Sequence, residues 1–222
     1  VAGAGEGSTA NKLKNPTALY VDENIVYICD TENHRIQQWT QCESSAKTIA
    51  GSTTGAAGVN SVLLNKPQDF AFDKNGYLYI ADGDNHRVQR FPPNSTTGTT
   101  VAGVTSSKTS ALNNLDHLTS LLVDDDLNIY ILDRHNERVI LWPPNATQGI
   151  VLISSSLLKE TQDILFLPNS TNQVYISDPK NSKIYVWTFN ESNANYTISS
   201  VGSGSDSLNK QTGMALDPYG NL

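Results

Sequence analysis

The sequence has few charged residues, only two cysteines and no long apolar run, and each of these absences excludes a class of protein. Charged residues make up 17% of the 222 positions, whereas soluble proteins average about 25%. No apolar stretch reaches the roughly 18 residues that a membrane helix needs. Two cysteines are too few for a disulfide scaffold, and a net charge of −7 disfavours a nucleic-acid partner. We expect a globular, core-forming piece of a longer protein.

What the sequence does contain is an internal repeat. Each of four aspartates has a tyrosine three residues before it, an asparagine three after, a base five after and an aromatic nine after. The aspartates are Asp30, Asp82, Asp133 and Asp178, the asparagines are Asn33, Asn85, Asn136 and Asn181, and the aromatics are Trp39, Phe91, Trp142 and Trp187. Four unrelated loops would not keep these positions in register.

Each repeat predicts four short antiparallel strands. Segments such as Tyr27–Asp30 and Arg35–Trp39 are β-rich and alternating, and a tight turn separates them. The asparagine of that turn is expected to take left-handed backbone angles. Helical periodicity is absent. Repeated four-stranded units of this length predict an all-β fold, a β-propeller of four-stranded antiparallel blades.

About four and a half blades are expected, too few to close a ring of this repeat length, so either residues are missing at both ends or the molecule is an open arc. The predicted blades span approximately residues 16–51, 67–103, 118–154 and 163–202, with the end of a previous blade at 1–3 and the start of a fifth at 212–222.

Two of the turn phrases resemble the NHL repeat, which is named for an Asn-His-Leu triplet. The matching triplets are Asn33-His34-Arg35 and Asn85-His86-Arg87. The third and fourth repeats depart from the motif, with Asn136-Glu137-Arg138 and Asn181-Ser182-Lys183. The resemblance implies a propeller, usually six-bladed, that binds protein or RNA. A related propeller serves a peptide-amidating lyase.

The strand order predicts which end of the propeller is free. Five Asn-X-Ser/Thr sequons fall in loops expected at the end opposite the interblade loops: Asn94, Asn145, Asn169, Asn190 and Asn195. Their number is near what chance gives, so the argument depends on their location. If they carry glycans, the protein is extracellular or at the cell surface; a cytoplasmic location is the alternative.

The ligand is then expected at the end that carries the interblade loops. The candidate ligand-face residues are His34, Arg35, His86, Arg87, His117, Arg134 and Arg138. The charge there is of mixed sign, which suits a protein or glycan ligand better than a nucleic acid.

We expect no catalytic residue, no metal and no cofactor. His34 and His86 occupy equivalent places in neighbouring blades, which indicates interblade packing, and His117 is the one histidine expected near the central channel. The recurring aspartates and asparagines are interpreted as structural turn residues, and the recurring aromatics as blade core. Cys29 and Cys42 are predicted not to bond to each other, because they lie ~20 Å apart along two strands.

The sequence thus favours a non-catalytic interaction platform. The first alternative is the substrate- or RNA-binding propeller of a ubiquitin-ligase-like protein, as the tripartite-motif relatives would imply. The second is a lyase of the peptide-amidating type.

Overall fold

A computed structural model of the protein describes residues 3–199, 210–217 and 219–222. These residues form four sheets, each of four antiparallel strands that lie side by side in chain order. The first sheet holds β1 (Ala18–Asp22), β2 (Ile25–Asp30), β3 (Arg35–Thr40) and β4 (Lys47–Gly51). The second holds β5 (Pro67–Phe72), β6 (Leu78–Asp82), β7 (Arg87–Phe91) and β8 (Thr99–Gly103).

The other two sheets repeat this order. The third holds β9 (Leu118–Val123), β10 (Ile129–Asp133), β11 (Arg138–Trp142) and β12 (Ile150–Ser154). The fourth holds β13 (Ile164–Phe166), β14 (Gln173–Asp178), β15 (Lys183–Thr188) and β16 (Tyr196–Ser199). The prediction of an all-β propeller of four-stranded antiparallel blades is confirmed, and all these strands lie inside the four predicted blade ranges.

The core of the molecule lies between the blades. One apolar cluster joins the first and second sheets, another the second and third, and a third the third and fourth. The recurring aromatics belong to these blades' cores: their exposed fractions are 5%, 1%, 2% and 0% for Trp39, Phe91, Trp142 and Trp187. The second and third blades therefore pack against a neighbour on each side, whereas Leu19 and Val21 of the first blade stay exposed.

Short helical turns occupy the connections. Thr31–Asn33, Gly83–Asn85 and Arg134–Asn136 are single 3₁₀ turns between second and third strands, and Ser156–Glu160 is a longer one before the fourth sheet. None of the helical segments in the described ranges is long and apolar enough to cross a membrane.

The predicted start of a fifth blade has the same turn contacts as the end of the first strand of the second blade. The Asp217 carboxylate accepts the backbone N–H groups of Tyr219 and Asn221, as the Asp73 carboxylate accepts those of Asn75 and Tyr77 in the second sheet. The described residues after 209 nevertheless form no strand. Of the predicted end of a previous blade, only Gly3 lies within the described residues.

Candidate functional site

The turns between second and third strands meet the loops that link the blades. We call this surface the loop end, and it is formed by the three 3₁₀ turns Thr31–Asn33, Gly83–Asn85 and Arg134–Asn136 and by residues 4–17, 52–66 and 104–117. Backbone hydrogen bonds of 3.1 Å join turn to loop in each blade, from Glu32 N to Lys14 O, from Asp84 N to Asn65 O and from His135 N to Asp116 O.

The recurring Asp, Asn and Arg form one buried network in each of the first three blades. In the second blade, Asp82 is fully buried and accepts hydrogen bonds from Asn85 Nδ2 (2.8 Å), Arg87 Nε (2.8 Å) and the backbone N–H of Asn65 (2.7 Å). Because every donor is supplied by the protein, the carboxylate and guanidinium can both be removed from water.

The arginine of this network holds the preceding interblade loop. The guanidinium of Arg87 donates to the carbonyl oxygens of Val59, Asn60 and Leu63 at 2.8, 2.9 and 3.1 Å. The first and third blades repeat the arrangement: Arg35 binds the carbonyls of Ser8, Thr9 and Lys12, and Arg138 those of Ser110, Ala111 and Asn114. We call this set of contacts the Asp–Asn–Arg network.

This network corrects the list of ligand-face candidates. Arg35, Arg87 and Arg138 are 1%, 3% and 5% exposed, so their expected place on a ligand face is wrong. Their guanidinium groups donate hydrogen bonds to a buried carboxylate and to backbone carbonyls, so they are not available to a ligand.

The fourth blade lacks the arginine. Lys183 takes its place, and the hydroxyl of Tyr185 donates to Asp178 at 3.0 Å instead. Burial and the neighbouring Asp178 raise the pKa of Tyr185 to about 12, so this phenol stays a donor.

The left-handed residue of each turn is not the asparagine, as expected, but the one that follows it. His34, His86 and Glu137 have φ values of 55°, 57° and 52°. The asparagine side chain instead donates to the aspartate three residues earlier: Asn33 to Asp30, Asn85 to Asp82, Asn136 to Asp133 and Asn181 to Asp178.

Two of the candidate histidines connect neighbouring blades. Nδ1 of His34 accepts the backbone N–H of Lys66 at 3.0 Å, and Nδ1 of His86 accepts that of His117 at 3.1 Å. Only an unprotonated ring nitrogen can accept such a bond. Burial lowers the pKa of His34, which keeps its imidazole neutral.

Replacing His34 by alanine is expected to speed exchange of the Lys66 amide hydrogen about fivefold, since one hydrogen bond contributes about 1 kcal/mol. Hydrogen–deuterium exchange followed by NMR measures this. The control is His135→Ala, because His135 is half-exposed and stacks on His117 rather than bonding Lys66. Equal Lys66 exchange in the wild type and in His34→Ala would contradict the assignment.

The groups that remain exposed at the loop end alternate in charge. Ion pairs run across it and onto the neighbouring connections of the fourth blade: Lys14–Glu32 (4.0 Å), Lys66–Asp84 (3.5 Å), Arg134–Glu160 (3.1 Å) and Lys180–Glu160 (2.8 Å). Between them, the imidazoles of His117 and His135 lie 3.3 Å from Asp84 and 3.5 Å from Asp116. His117 lies in this row and stacks on His135 with ring centroids 4.7 Å apart. Burial, and then the neighbouring His135, lowers the pKa of His117.

A second polar cluster joins the inner strands of three blades. The hydroxyl of Ser120 lies 2.7 Å from Asp69 Oδ2 and 2.8 Å from Asp163 Oδ1. Each carboxylate also accepts a backbone N–H from the next part of the chain. Asp69 accepts that of Leu121 in the third blade (3.0 Å), and Asp163 accepts that of Met214 after the fourth blade (2.7 Å). We call Asp69, Ser120 and Asp163 the axial trio.

The axial trio requires an extra proton. A hydroxyl has one hydrogen, so Ser120 can donate to only one carboxylate, and the other carboxyl must be protonated to donate to Ser120. Burial, and then the negative charge of Asp163, raises the pKa of Asp69 to about 7.

The five sequon asparagines lie together at the end of the blades opposite the loop end, and all five are exposed. Four of them have left-handed backbone angles: Asn94 (φ 58°), Asn145 (60°), Asn169 (58°) and Asn190 (67°). Asparagine tolerates this conformation better than most residues. Turn geometry therefore accounts for asparagine at these four positions.

A cleft of about 480 Å³ opens at this same end between the first two blades. Tyr20, Tyr27 and Phe72 contact one another at its inner side, with ring centroids 4.8–6.1 Å apart. We call it the interblade cleft.

Neither cysteine is paired within the described residues. Cys29 is buried, and its thiol donates to the carbonyl of Pro67 in the next blade at 3.1 Å; burial raises its pKa to about 12. The described residues bring together no group of three or more His, Cys, Asp or Glu side chains in a metal-binding arrangement.

Sequence reasoning missed the axial trio and the interblade cleft. The only signal of the trio is an acid or serine near the start of the first strand of three successive repeats, at Asp69, Ser120 and Asp163. The signal of the cleft is a phenylalanine, Phe91, where the other three repeats carry tryptophan.

Comparison with known proteins agrees with this architecture. The NHL repeat model matches residues 13–39 and 64–91. The bovine (Bos taurus) NHL repeat-containing protein 2 is 27% identical over 85 residues, covering 35% of this chain and 12% of that protein. A Caenorhabditis elegans protein named as a peptidyl-alpha-hydroxyglycine alpha-amidating lyase is 25% identical over 137 residues, covering 60% of this chain and 38% of its own length. The solved structure of streptogramin B lyase superimposes with a TM-score of 0.56 at 11% identity, over 81% of this chain and 53% of that one. The chain thus spans well under half the length of these two curated relatives.

Proposed function

Because the chain carries NHL repeats on blades of a β-propeller, we propose that it is a non-catalytic binding scaffold whose loop end contacts a protein partner. NHL propellers fit a repeat-based binding role. We choose the loop end as the binding surface on one observation, namely that opposite charges stand next to each other there.

A surface of alternating charge favours a partner with a matching pattern. A phosphate backbone requires a clustered basic surface, whereas Lys66 and Asp84, and beside them Arg134 and Glu160, place opposite charges next to each other. Such patterns set partner choice and association rate more than affinity. The buried Asp–Asn–Arg networks hold the loops beneath this surface in place, so a partner meets a preorganised face.

Peptides selected from a random display library against the purified protein test this proposal. Their binding is expected to shift NMR signals of the loop end, and Asp84→Arg is expected to weaken it about tenfold or more, because like charges placed opposite each other repel. The control is Asp22→Arg, which makes the same change on an exposed residue at the opposite end. Binding that Asp22→Arg weakens and Asp84→Arg leaves intact would overturn the choice of surface.

The amidating lyase is a second candidate, because that relative matches over 60% of this chain. A peptidyl-α-hydroxyglycine substrate incubated with the purified, zinc-supplemented protein decides between the two functions. Turnover that rises with protein concentration would replace the scaffold proposal.

We further propose that the exposed sequon asparagines carry glycans and that the protein is extracellular. Treatment of protein from its native source with an amidase that removes Asn-linked sugars is expected to lower its mass and convert modified asparagines to aspartate. An unchanged mass would contradict this proposal.

A further inference from the structure

One wall of the interblade cleft is a single row of side chains across the first blade. The strand register pairs Tyr20 with Tyr27, Tyr27 with Gln38 and Gln38 with Lys47, and all four line the cleft. Neighbouring strands lie about 4.8 Å apart, so the row runs ~14 Å from the inner strand to the rim. Along it the side chains change from aromatic to amide to cation.

The opposite wall belongs to the second blade, and the part of it that the strands form is apolar. Phe72 pairs with Leu78 and Leu78 with Phe91, and all three line the cleft. The two rows therefore enclose a slot rather than a rounded cavity.

Phe91 accounts for part of the open space. In the other three blades this position holds tryptophan, whose indole N–H donates to the carbonyl four residues later: Trp39 to Glu43, Trp142 to Ala146 and Trp187 to Glu191. The rings occupy equivalent places, since Gly98 packs on Phe91 as Gly149 packs on Trp142. Phenylalanine lacks the second ring and the donor, and Ser95, the residue four positions later, lines the cleft.

The charges along the slot are distributed unequally. Asp22, Asp73 and Lys74 lie by the inner strands, so that end of the cleft carries two acids and one base. Lys47 is exposed at the rim and makes no ion pair with any described residue. A negative group at the rim end of a bound molecule would find a cation there.

We propose that the interblade cleft binds a small amphipathic anion: an aromatic or aliphatic body lying along Tyr20, Tyr27 and Phe72, with a terminal carboxylate that pairs with Lys47. The volume of about 480 Å³ lies within the range of small-molecule sites. The aromatic rings supply the apolar contact area, and the Gln38 amide supplies a hydrogen-bonding group between the two ends. This site lies at the end opposite the proposed protein-binding surface and is independent of it.

The experiment compares 4-phenylbutyrate with its neutral counterpart 4-phenylbutanamide by NMR titration of the isotope-labelled protein. Both probes are expected to cause saturable shifts at Tyr20, Tyr27 and Gln38. Lys47→Gln is expected to weaken phenylbutyrate binding about two- to fivefold, the range of an exposed ion pair, and to leave the amide unchanged. Lys108→Gln removes the same charge outside the cleft and is expected to change neither.

Phe91→Trp restores the residue of the other three blades and is expected to abolish binding of both probes. The circular dichroism spectrum checks that this variant folds, and Tyr20→Ala, at a side chain that is 48% exposed, gives a second test by the same loss of binding. The proposal is overturned if millimolar probe produces no saturable shift, if the shifts lie outside the cleft, or if a folded Phe91→Trp or Tyr20→Ala binds as the wild type does.

Discussion

Replacing Asp82 by alanine is expected to lower the free energy of unfolding by about 3–5 kcal/mol, the usual loss when one partner of a buried ion pair is removed. Arg87, which is 3% exposed, would keep its charge in the core without its carboxylate partner. The Asn85 amide and the Asn65 backbone N–H would lose their acceptor as well. Denaturant unfolding followed by circular dichroism measures the change.

Two further variants show whether the loss comes from the buried charge. Asp84→Ala removes a carboxylate two residues away whose partner Lys66 is 42% exposed, and it is expected to change stability by less than about 1 kcal/mol. In Asp82→Ala/Arg87→Met no uncompensated charge remains, so the double variant is expected to recover part of the loss. If Asp82→Ala lowers the free energy of unfolding no more than Asp84→Ala does, the network does not stabilise the blade as described.

The free energy of unfolding is expected to fall as pH rises from about 4 to about 7, on the order of 2–4 kcal/mol, because of the axial trio. Its cause is the raised pKa of Asp69, about 7 in the folded protein against about 3.9 in an unfolded chain. Between these values the folded protein binds a proton that the unfolded chain has released, so stability decreases with pH. Below the lower pKa, Asp69 is protonated in both the folded and the unfolded state, and above the higher pKa it is ionised in both.

Asp69→Asn is expected to remove this dependence on pH. Asparagine keeps a hydrogen-bonding group beside Ser120 and cannot ionise. Histidines with lowered pKa values, such as His34 and His117, reduce the free energy of unfolding as pH falls below about 6.5. Both proteins contain them, so the difference between the pH profiles of the wild type and Asp69→Asn reports the trio alone. Asp22→Asn, an exposed acid on β1, is the control. Parallel pH profiles for the wild type and Asp69→Asn would contradict the shared proton.

The blades themselves could be predicted from sequence because their signals are local and repeated. Alternation of apolar residues marks each strand, and the same five positions recur in four repeats, so an error in one repeat would not shift the whole assignment. The buried aromatics follow from the same pattern, since Trp39 and its equivalents close each third strand on its core face.

The burial of the arginines could not be predicted in this way. A base beside a turn is usually solvated, and the acceptors that allow Arg87 to be buried are the backbone carbonyls of Val59, Asn60 and Leu63. Backbone carbonyls are the same in every residue type, so the sequence of the loop carries no mark of their role.

The axial trio and the interblade cleft depend on contacts between repeats. Asp69 and Asp163 are far apart in the chain, and each alone is only a polar residue at the start of a strand. They come together because three inner strands converge, and both carboxylates then contact the hydroxyl of Ser120. Phe91, where the other repeats carry tryptophan, lines the cleft, and a conservative difference of this kind predicts no cavity until the facing blade is known.

The buried Asp–Asn–Arg networks, which join each of the first three blades to the loop before it, are the central structural feature of the protein. NMR signals of the arginine Nε–H groups test them directly, since the chain has five arginines: Arg35, Arg87, Arg90, Arg134 and Arg138. We predict that Arg35, Arg87 and Arg138 exchange these hydrogens with solvent far more slowly than Arg90 and Arg134, and that Asp82→Ala accelerates Arg87 alone among the three. Rapid exchange at all five arginines would contradict the account.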